Sequence, residues 1–176
     1  MRKVVLYHLM SLDGIAYEDG DWFVDEGTRL VDYLGRVIAA QDAVLLGRGT
    51  YEYWVGHWPA SDFQPFADFI NGTRKHVVTS SALSREWTNS TRVTTDVHDY
   101  VTALKQEPGR DIGIHGSIEL ARSLLRARLV DELRLVVAPS VVGQGRRVFE
   151  GDGVQSWKLS EVERGKNGTL FLDYGR

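Results

Sequence analysis

The 176-residue chain contains no cysteine. That absence excludes disulfides, thiolate nucleophiles and cysteine-ligated zinc at once. The five histidines (His8, His57, His76, His98, His115) include no i, i+4 pair and no HExxH pattern, so a histidine metal site is not expected either. No apolar run approaches the ~20 residues of a membrane span. Positive charge is not in excess: 21 Lys and Arg against 24 Asp and Glu give a formal net charge of −3. The pI near 5.9 offers no basic field to nucleic acid or to an anionic membrane. Repeats, low-complexity tracts and a convincing linker are also missing. The chain opens Met1-Arg2-Lys3 and passes straight into a strand pattern, so no signal peptide is expected, and the protein is read as soluble and cytoplasmic.

What is present is ordinary globular material, with 43% hydrophobic and 26% charged residues. A chain of this length forms one domain, 1–176, burying roughly 70% of its unfolded surface. Val4 to Met10 is a nearly continuous apolar run, the mark of a strand covered on both faces. Ser11 to Phe23, rich in Gly, Asp and aromatics, reads as a long loop. Leu30, Val31, Leu34, Val37 and Ile38 recur at helical spacing and predict a helix from about Glu26 to Ala40. Ala43–Leu46 is a short buried strand running into a glycine turn. Trp54 to Pro65 reads as irregular. Strands near Lys75–Thr79 and Arg92–Thr94 and a helix near Val97–Gln106 follow. Asp111 to Phe149 then reads as strand, turn, amphipathic helix and strand. Trp157–Glu163 and Thr169–Tyr174 flank Asn167-Gly168, a hairpin signal. The expected fold is α/β: a mostly parallel central sheet with helices on both faces and a C-terminal antiparallel hairpin.

Three turns after three strands carry phosphate-compatible chemistry. His115-Gly116-Ser117-Ile118 opens a helix, where free backbone N–H groups and the helix dipole favour an anion. The plain alternative is a tight turn before a helix that buries Ile118, Ala121, Leu124 and Leu125 while Arg122 and Arg126 point outward. Gly47-Arg48-Gly49-Thr50 presents a guanidinium fork to a phosphate, and Thr50 can cap the next helix. A surface arginine on a turn explains the same residues. Thr79-Ser80-Ser81 offers three hydroxyls, or an ordinary hydroxyl-rich turn. Ligands of open α/β sheets bind beyond the carboxyl ends of strands, so the coincidence of all three favours a dinucleotide. None of the turns is GxGxxG, and Asp131 and Glu132 come too early for the ribose-binding acid of a standard Rossmann domain. In the first loop Asp13 can orient a substrate nitrogen or assist proton transfer, or simply form an Asx turn before Gly14. Trp22 and Phe23 can cover a planar ring or belong to the core. His57-Trp58-Pro59 reads as packing, and His76 and His98 as strand or surface residues.

With these pieces assembled, the chain resembles the dihydrofolate reductase-like family, in the branch of the C-terminal reductase domain of bacterial riboflavin biosynthesis. The matching segments are SLDGIA (11–16), LLGRGTYE (45–52), KHVVTSS (75–81), DIGIHGSIELARSLL (111–125), LVDELRLVVAPSVVGQGRRVF (129–149) and LFLDYGR (170–176). The resemblance implies NADPH bound across the strand ends, with Arg48 and Thr79, Ser80 and Ser81 at the adenosine 2′-phosphate. It implies Gly47, Gly49 and Thr50 along one side of the pyrophosphate and His115, Gly116, Ser117 and Ile118 along the other. Ala16 would meet the nicotinamide. His115 stands where the family commonly has the first of two glycines. True dihydrofolate reductases carry a carboxylate on the first long helix; Asp32 lies in that region of this chain, and the role is not transferred to it.

The expectation is an NADPH-dependent reductase of a small pterin- or aminopyrimidine-like heterocycle. Asp13 is its catalytic candidate, and Asp13 and Trp22 are its substrate contacts. The resemblance also implies a homodimer. The alternatives are a non-catalytic NADP(H)-binding or sensor protein that kept the fold, and a purely structural dimer module.

Overall fold

In the computed structural model the described residues are 1–18, 22–23, 27–151 and 153–176. Six strands run parallel: β1 (Val4–Met10), β2 (Gln41–Gly47), β3 (Arg74–Val78), β4 (Ser90–Val93), β5 (Asp111–His115) and β6 (Glu132–Val137). Two more, β7 (Lys158–Arg164) and β8 (Leu170–Gly175), are antiparallel to each other, and β8 is antiparallel to β6. The sheet order is β4-β3-β2-β5-β1-β6-β8-β7. The expected mixed sheet with an antiparallel C-terminal end is therefore present.

The apolar runs divide by alternation between two faces. Val4 and Leu6 of β1, Ala43 and Leu45 of β2, and Ile112 and Ile114 of β5 face one core. That core is completed by α4 (Val97–Leu104) and α5 (Ile118–Arg126), through Val101, Leu104, Leu120, Ala121, Leu124 and Leu125. Tyr7, Val44 and Leu46 face the other core. It is covered by α1 (Thr28–Ala39), α2 (Arg48–Trp54) and α3 (Phe66–Gly72), through Tyr33, Leu34, Val37, Ile38, Tyr51, Phe66 and Ile70. Strands buried on both faces need apolar residues at every position, and this is why they read as unbroken runs.

Two boundaries depart from the expectation for physical reasons. Helix α1 starts at Thr28, and Glu26 lies outside the described residues. Helix α2 follows β2 with no intervening loop, and Trp58–Ala60 forms a short 3₁₀ turn, so part of the irregular stretch is ordered by packing. Trp54 and Trp58 meet edge to face at 5.8 Å, and Phe66 packs against both, at 5.6 and 4.7 Å. Edge-to-face pairs of this kind hold a short helix that propensity alone would leave marginal. Arg122, expected to point outward, instead bonds the Arg147 carbonyl through Nε at 2.8 Å and pairs with Glu119 and Glu150.

Candidate functional site

Because six strands are parallel, the segments that follow them meet along one edge of the sheet. The turns after β2 and β5 are neighbours and are tied together by one hydroxyl. Ser117 Oγ accepts from the Gly47 N–H at 2.9 Å and donates to Thr50 Oγ1 at 2.9 Å. Helices α2 and α5 both begin here, and neither has a side-chain cap. Their first-turn N–H groups therefore lack the usual partner, which is the condition for holding an anion. Thr50 lies inside the first turn of α2 rather than before it, so it joins the Ser117 link instead of capping.

Gly116 is needed at this junction for two reasons. Its φ is +70°, and a Cβ there would stand 3.1 Å from Trp54 Cζ2 and 3.5 Å from Thr50 Cγ2. A side chain would be strained by the backbone and would push against an indole held by Phe66 and Trp58. Gly49, by contrast, has open space around it. Arg48 stands half-exposed, its Nε 4.0 Å from Glu52 Oε1. Glu52 is anchored separately by the Ser84 N–H and hydroxyl. The guanidinium thus keeps most of its donors for another partner. Beyond β3, Thr79 Oγ1 accepts from the Ser81 N–H at 3.1 Å, closing a hydroxyl turn in which Ser80 is exposed.

Beside this edge lies a cavity of about 870 Å3 between β1, α1 and the 53–66 stretch, which reaches Gly116 and Ile118. Its walls are aromatic, with Tyr17, Phe23, Trp54, Trp58, Phe63 and Phe66 among them. His8 and His115 line it from the sheet. His115 Nε2 is 2.8 Å from Gln41 Oε1, and the ring packs against Tyr7 and Phe66 at 5.5 and 5.4 Å. Among the described residues three polar atoms of this wall have no hydrogen-bond partner: His8 Nε2, His115 Nδ1 and Trp58 Nε1. Unpaired buried polar atoms are uncommon, and their concentration around one cavity marks it as a place shaped for something other than folding.

Burial drives both imidazoles toward their neutral forms, His8 to about 4 and His115 to about 3, the nearby Glu18 carboxylate opposing the shift at His8. An unfolded histidine titrates near 6.5. Between that value and about 4 the unfolded chain takes up protons that the folded chain refuses, so stability is complete above 6.5 and falls as the pH drops. The expected loss is about 1.4 kcal/mol per pH unit for each histidine within the window. Urea unfolding at a series of pH values should show this slope, and His8→Asn or His115→Gln should each remove about half of it.

The remaining predicted residues are placed differently. Asp13 does not line the cavity. Its Oδ1 accepts from the Ser11 hydroxyl at 2.6 Å and the Val142 N–H at 3.1 Å, and its Oδ2 from the Gly143 N–H at 2.8 Å. These bonds, the Ser11 hydroxyl first, hold its carboxyl down at about 2. The carboxylate expected to serve catalysis and substrate binding is thus engaged by the loops around it. The carboxylate has no proton to give at neutral pH, and its oxygens clamp the loop after β1 to the loop after β6. Trp22 likewise stands behind the wall, its ring edge-on to Tyr17 at 5.4 Å and Phe23 at 6.3 Å. Of the Trp22–Phe23 pair expected to cover a ring, Phe23 lines the cavity, and Tyr17 lines it beside Phe23. Ala16 is buried, its N–H donating to the Arg146 carbonyl.

His8, Tyr53, Trp54, His57, Trp58, Phe66 and Asp32, none of them given a site role from sequence, all line the cavity. For Tyr53, Trp54, His57, Trp58 and Phe66 the available signal is the density of aromatics between Tyr51 and Phe69; His8 and Asp32 carry no comparable one. Among the described residues no group of His, Asp and Glu can hold a metal ion, and no helix is long and apolar enough to cross a membrane.

A parallel sheet whose strand ends converge on uncapped helix starts beside an aromatic cavity defines an α/β domain of the dihydrofolate reductase type. The chain belongs to the RibD C-terminal domain family, which matches residues 2–171. The uncharacterized protein YwjB of Bacillus subtilis (strain 168) is 34% identical over 154 residues, covering 84% of this chain and 83% of that protein. Two solved structures share the fold. The dihydrofolate reductase of Enterococcus faecalis, complexed with NADP(H) and RAB-propyl, has a TM-score of 0.68 at 14% identity, covering 99% of this chain and 96% of that one. The Thermotoga maritima diaminohydroxyphosphoribosylaminopyrimidine deaminase/5-amino-6-(5-phosphoribosylamino)uracil reductase has a TM-score of 0.68 at 16% identity. It covers 99% of this chain and 56% of that one.

Proposed function

We propose that this protein is an NADPH-dependent reductase of a small planar, nitrogen-rich heterocycle of the pterin or aminopyrimidine kind. The observation that carries this reading is the junction at Gly116. One turn closes the uncapped, Ser117-linked edge and also forms part of the cavity wall, so a coenzyme on the edge would present its end to a ring in the cavity. The donor set fits such a coenzyme. Main-chain N–H groups of the first turns of α2 and α5 would hold the pyrophosphate. Arg48 would meet a 2′-phosphate as a fork, with the hydroxyls of Thr79, Ser80 and Ser81 following the neighbouring strand β3, which pairs in parallel with β2. When bound, NADPH supplies the hydride. The chain's own work is orientation and exclusion of water: Trp54 braces Gly116, and the aromatic walls sandwich the ring and keep solvent from the transfer.

The rival reading, binding without turnover, has one observation in its favour: at neutral pH Asp13 is held ionised and His8 and His115 are held as neutral imidazoles, so none of the three is a carboxylic acid or imidazolium that could protonate a ring undergoing reduction. Purified protein incubated with NADPH and a panel of dihydropterins and aminouracils separates the two. Stoichiometric loss of the 340 nm absorbance (the ordinary NADPH band) with one of them establishes the reductase. Tight NADPH binding with no turnover across the panel establishes the rival. The sheet ends on β7, which among the described residues pairs with β8 alone and exposes Leu159 and Val162. We propose this edge for the homodimer contact, which light scattering of the purified protein would detect as a doubled mass.

A further inference from the structure

At the β4 end of the sheet a second groove, of about 940 Å3, lies between β4, the 82–89 segment and Tyr51 of α2. Three arginines line it, Arg74, Arg85 and Arg92, against a single acid, Glu86. Among the described residues none of these three guanidiniums has a hydrogen bond or an ion pair. Elsewhere on the chain Arg36, Arg122, Arg134 and Arg146 each hold a carboxylate. In a chain of net charge −3, cations gathered without acids are a local field of the opposite sign. The floor adds a fourth. The register of β3 and β4 sets Lys75 beside Ser90 and Val77 beside Arg92, so Lys75, Ser90 and Arg92 share one face of the sheet. Lys75 is fully buried. Its ammonium donates to the carbonyls of Ile70 at 2.7 Å and Thr73 at 2.8 Å and lies 4.6 Å from the centre of the Trp87 ring. Burial lowers it to about 8, which leaves it mostly charged at neutral pH, and no carboxylate among the described residues pairs with it. Ser90 Oγ, on the same floor, is buried with no hydrogen-bond partner among the described residues.

Like charges held side by side repel, and folding alone gives no reason to gather them. An anion of several charges removes that repulsion and uses the idle donors. Guanidinium forks match phosphate oxygens two at a time, and three forks call for more charge than one carboxylate carries. The groove offers no stacking face, since Trp87 is only 7% exposed and Tyr51 is wholly buried. A base or a planar ring therefore finds nothing to rest on here. We propose that this groove is a binding site for a di- or triphosphate group, held by Arg74, Arg85 and Arg92. The site is separate from the coenzyme edge and does not depend on the reductase reading. It begins close to that edge: the Ser84 hydroxyl does most to hold the Glu52 carboxyl below its usual range, and Arg48 and Arg85 both add to it. The experiment must therefore tell the two sites apart.

Calorimetric titration of the purified protein with inorganic triphosphate, at fixed pH and ionic strength, is expected to show one ion bound per chain. The Arg85→Gln, Arg92→Gln double variant should bind it about 30-fold or more weakly, whereas Arg48→Ala should change it by no more than about twofold. Neither Arg85 nor Arg92 has a side-chain partner to lose, so the double variant should melt within about 2 °C of the parent. If it does not fold, Arg74→Gln alone takes its place, with an expected loss of about fivefold. Added salt should weaken the parent more steeply than the double variant. ATP separates the two sources of the group. Equal affinity for ATP and triphosphate assigns the site to the phosphate chain alone, and tighter ATP binding with the same loss in the double variant assigns it to a nucleotide. Three results overturn the proposal: no heat at millimolar triphosphate, a loss found in Arg48→Ala but not in the double variant, or hexaglutamate binding as tightly as triphosphate.

Discussion

Arg48→Ala is expected to weaken NADPH by about 10–100-fold while changing NADH by no more than about threefold, because a charge-assisted contact to a phosphate is worth about 1.5–3 kcal/mol. The two coenzymes differ only at the 2′-phosphate, so the ratio isolates that contact from every other part of binding. The structure keeps the test clean. Arg48 sits on the first turn of α2 with its side chain largely in solvent, and its nearest acid, Glu52, stands at 4.0 Å. Removing the guanidinium leaves Glu52 bonded to Ser84 rather than unpaired, so the helix should not suffer. Arg48→Lys refines the argument: it retains the charge and loses the planar fork, and should recover part of the loss. The preference should also shrink as salt is raised, since the contact is exposed. Fluorescence titration of both coenzymes measures all of this, and equal losses for NADPH and NADH would remove Arg48 from the 2′-phosphate.

The sheet edge was legible in the sequence for a local reason. Gly47 and Gly116 each stand directly between an apolar run and a helical pattern, so the order of residues along the chain already states what stands at the end of each strand. The terminal hairpin was legible for the same reason, through Asn167-Gly168. The cavity was not, because its wall is assembled from β1, α1, the 53–66 stretch and β5, segments with no sequence relation to one another. His57-Trp58-Pro59 reads as packing and Trp54 as the start of an irregular stretch; in part both are packing, since Trp54 and Trp58 pack on Phe66 while also lining the cavity. The partners of Asp13 were not legible either. A lone carboxylate in a glycine loop suggests chemistry, but the backbone groups that occupy it belong to Val142 and Gly143, 129 and 130 residues further on. No local pattern reports a partner at that distance.

His115 shows how the cavity floor depends on a neighbour that carries no chemistry, and Gly113→Ala exposes the dependence. Gly113 lies mid-strand in β5, paired with Val5 on one side and Val44 on the other, so the backbone there cannot shift without disturbing two ladders. A Cβ at this position would land on the Gln41 side-chain oxygen, with Gln41 Cδ at 2.7 Å and His115 Nε2 at 2.8 Å. All three residues are buried, and Gln41 is only 1% exposed, so its carboxamide has nowhere to swing. Overpacking of this kind costs about 1–3 kcal/mol, and breaking the Gln41–His115 bond inside the protein adds about 1–3 more. A total near 2–6 kcal/mol should lower Tm by roughly 4–24 °C in a domain of this size. The decisive comparison is with Gln41→Ala, which loses the same hydrogen bond but leaves room. If the steric account is right, Gly113→Ala added to Gln41→Ala should cost much less than Gly113→Ala alone, a coupling of about 1–3 kcal/mol in urea unfolding. Additive effects would mean that the glycine serves the strand backbone itself and that Gln41 is not what it makes room for.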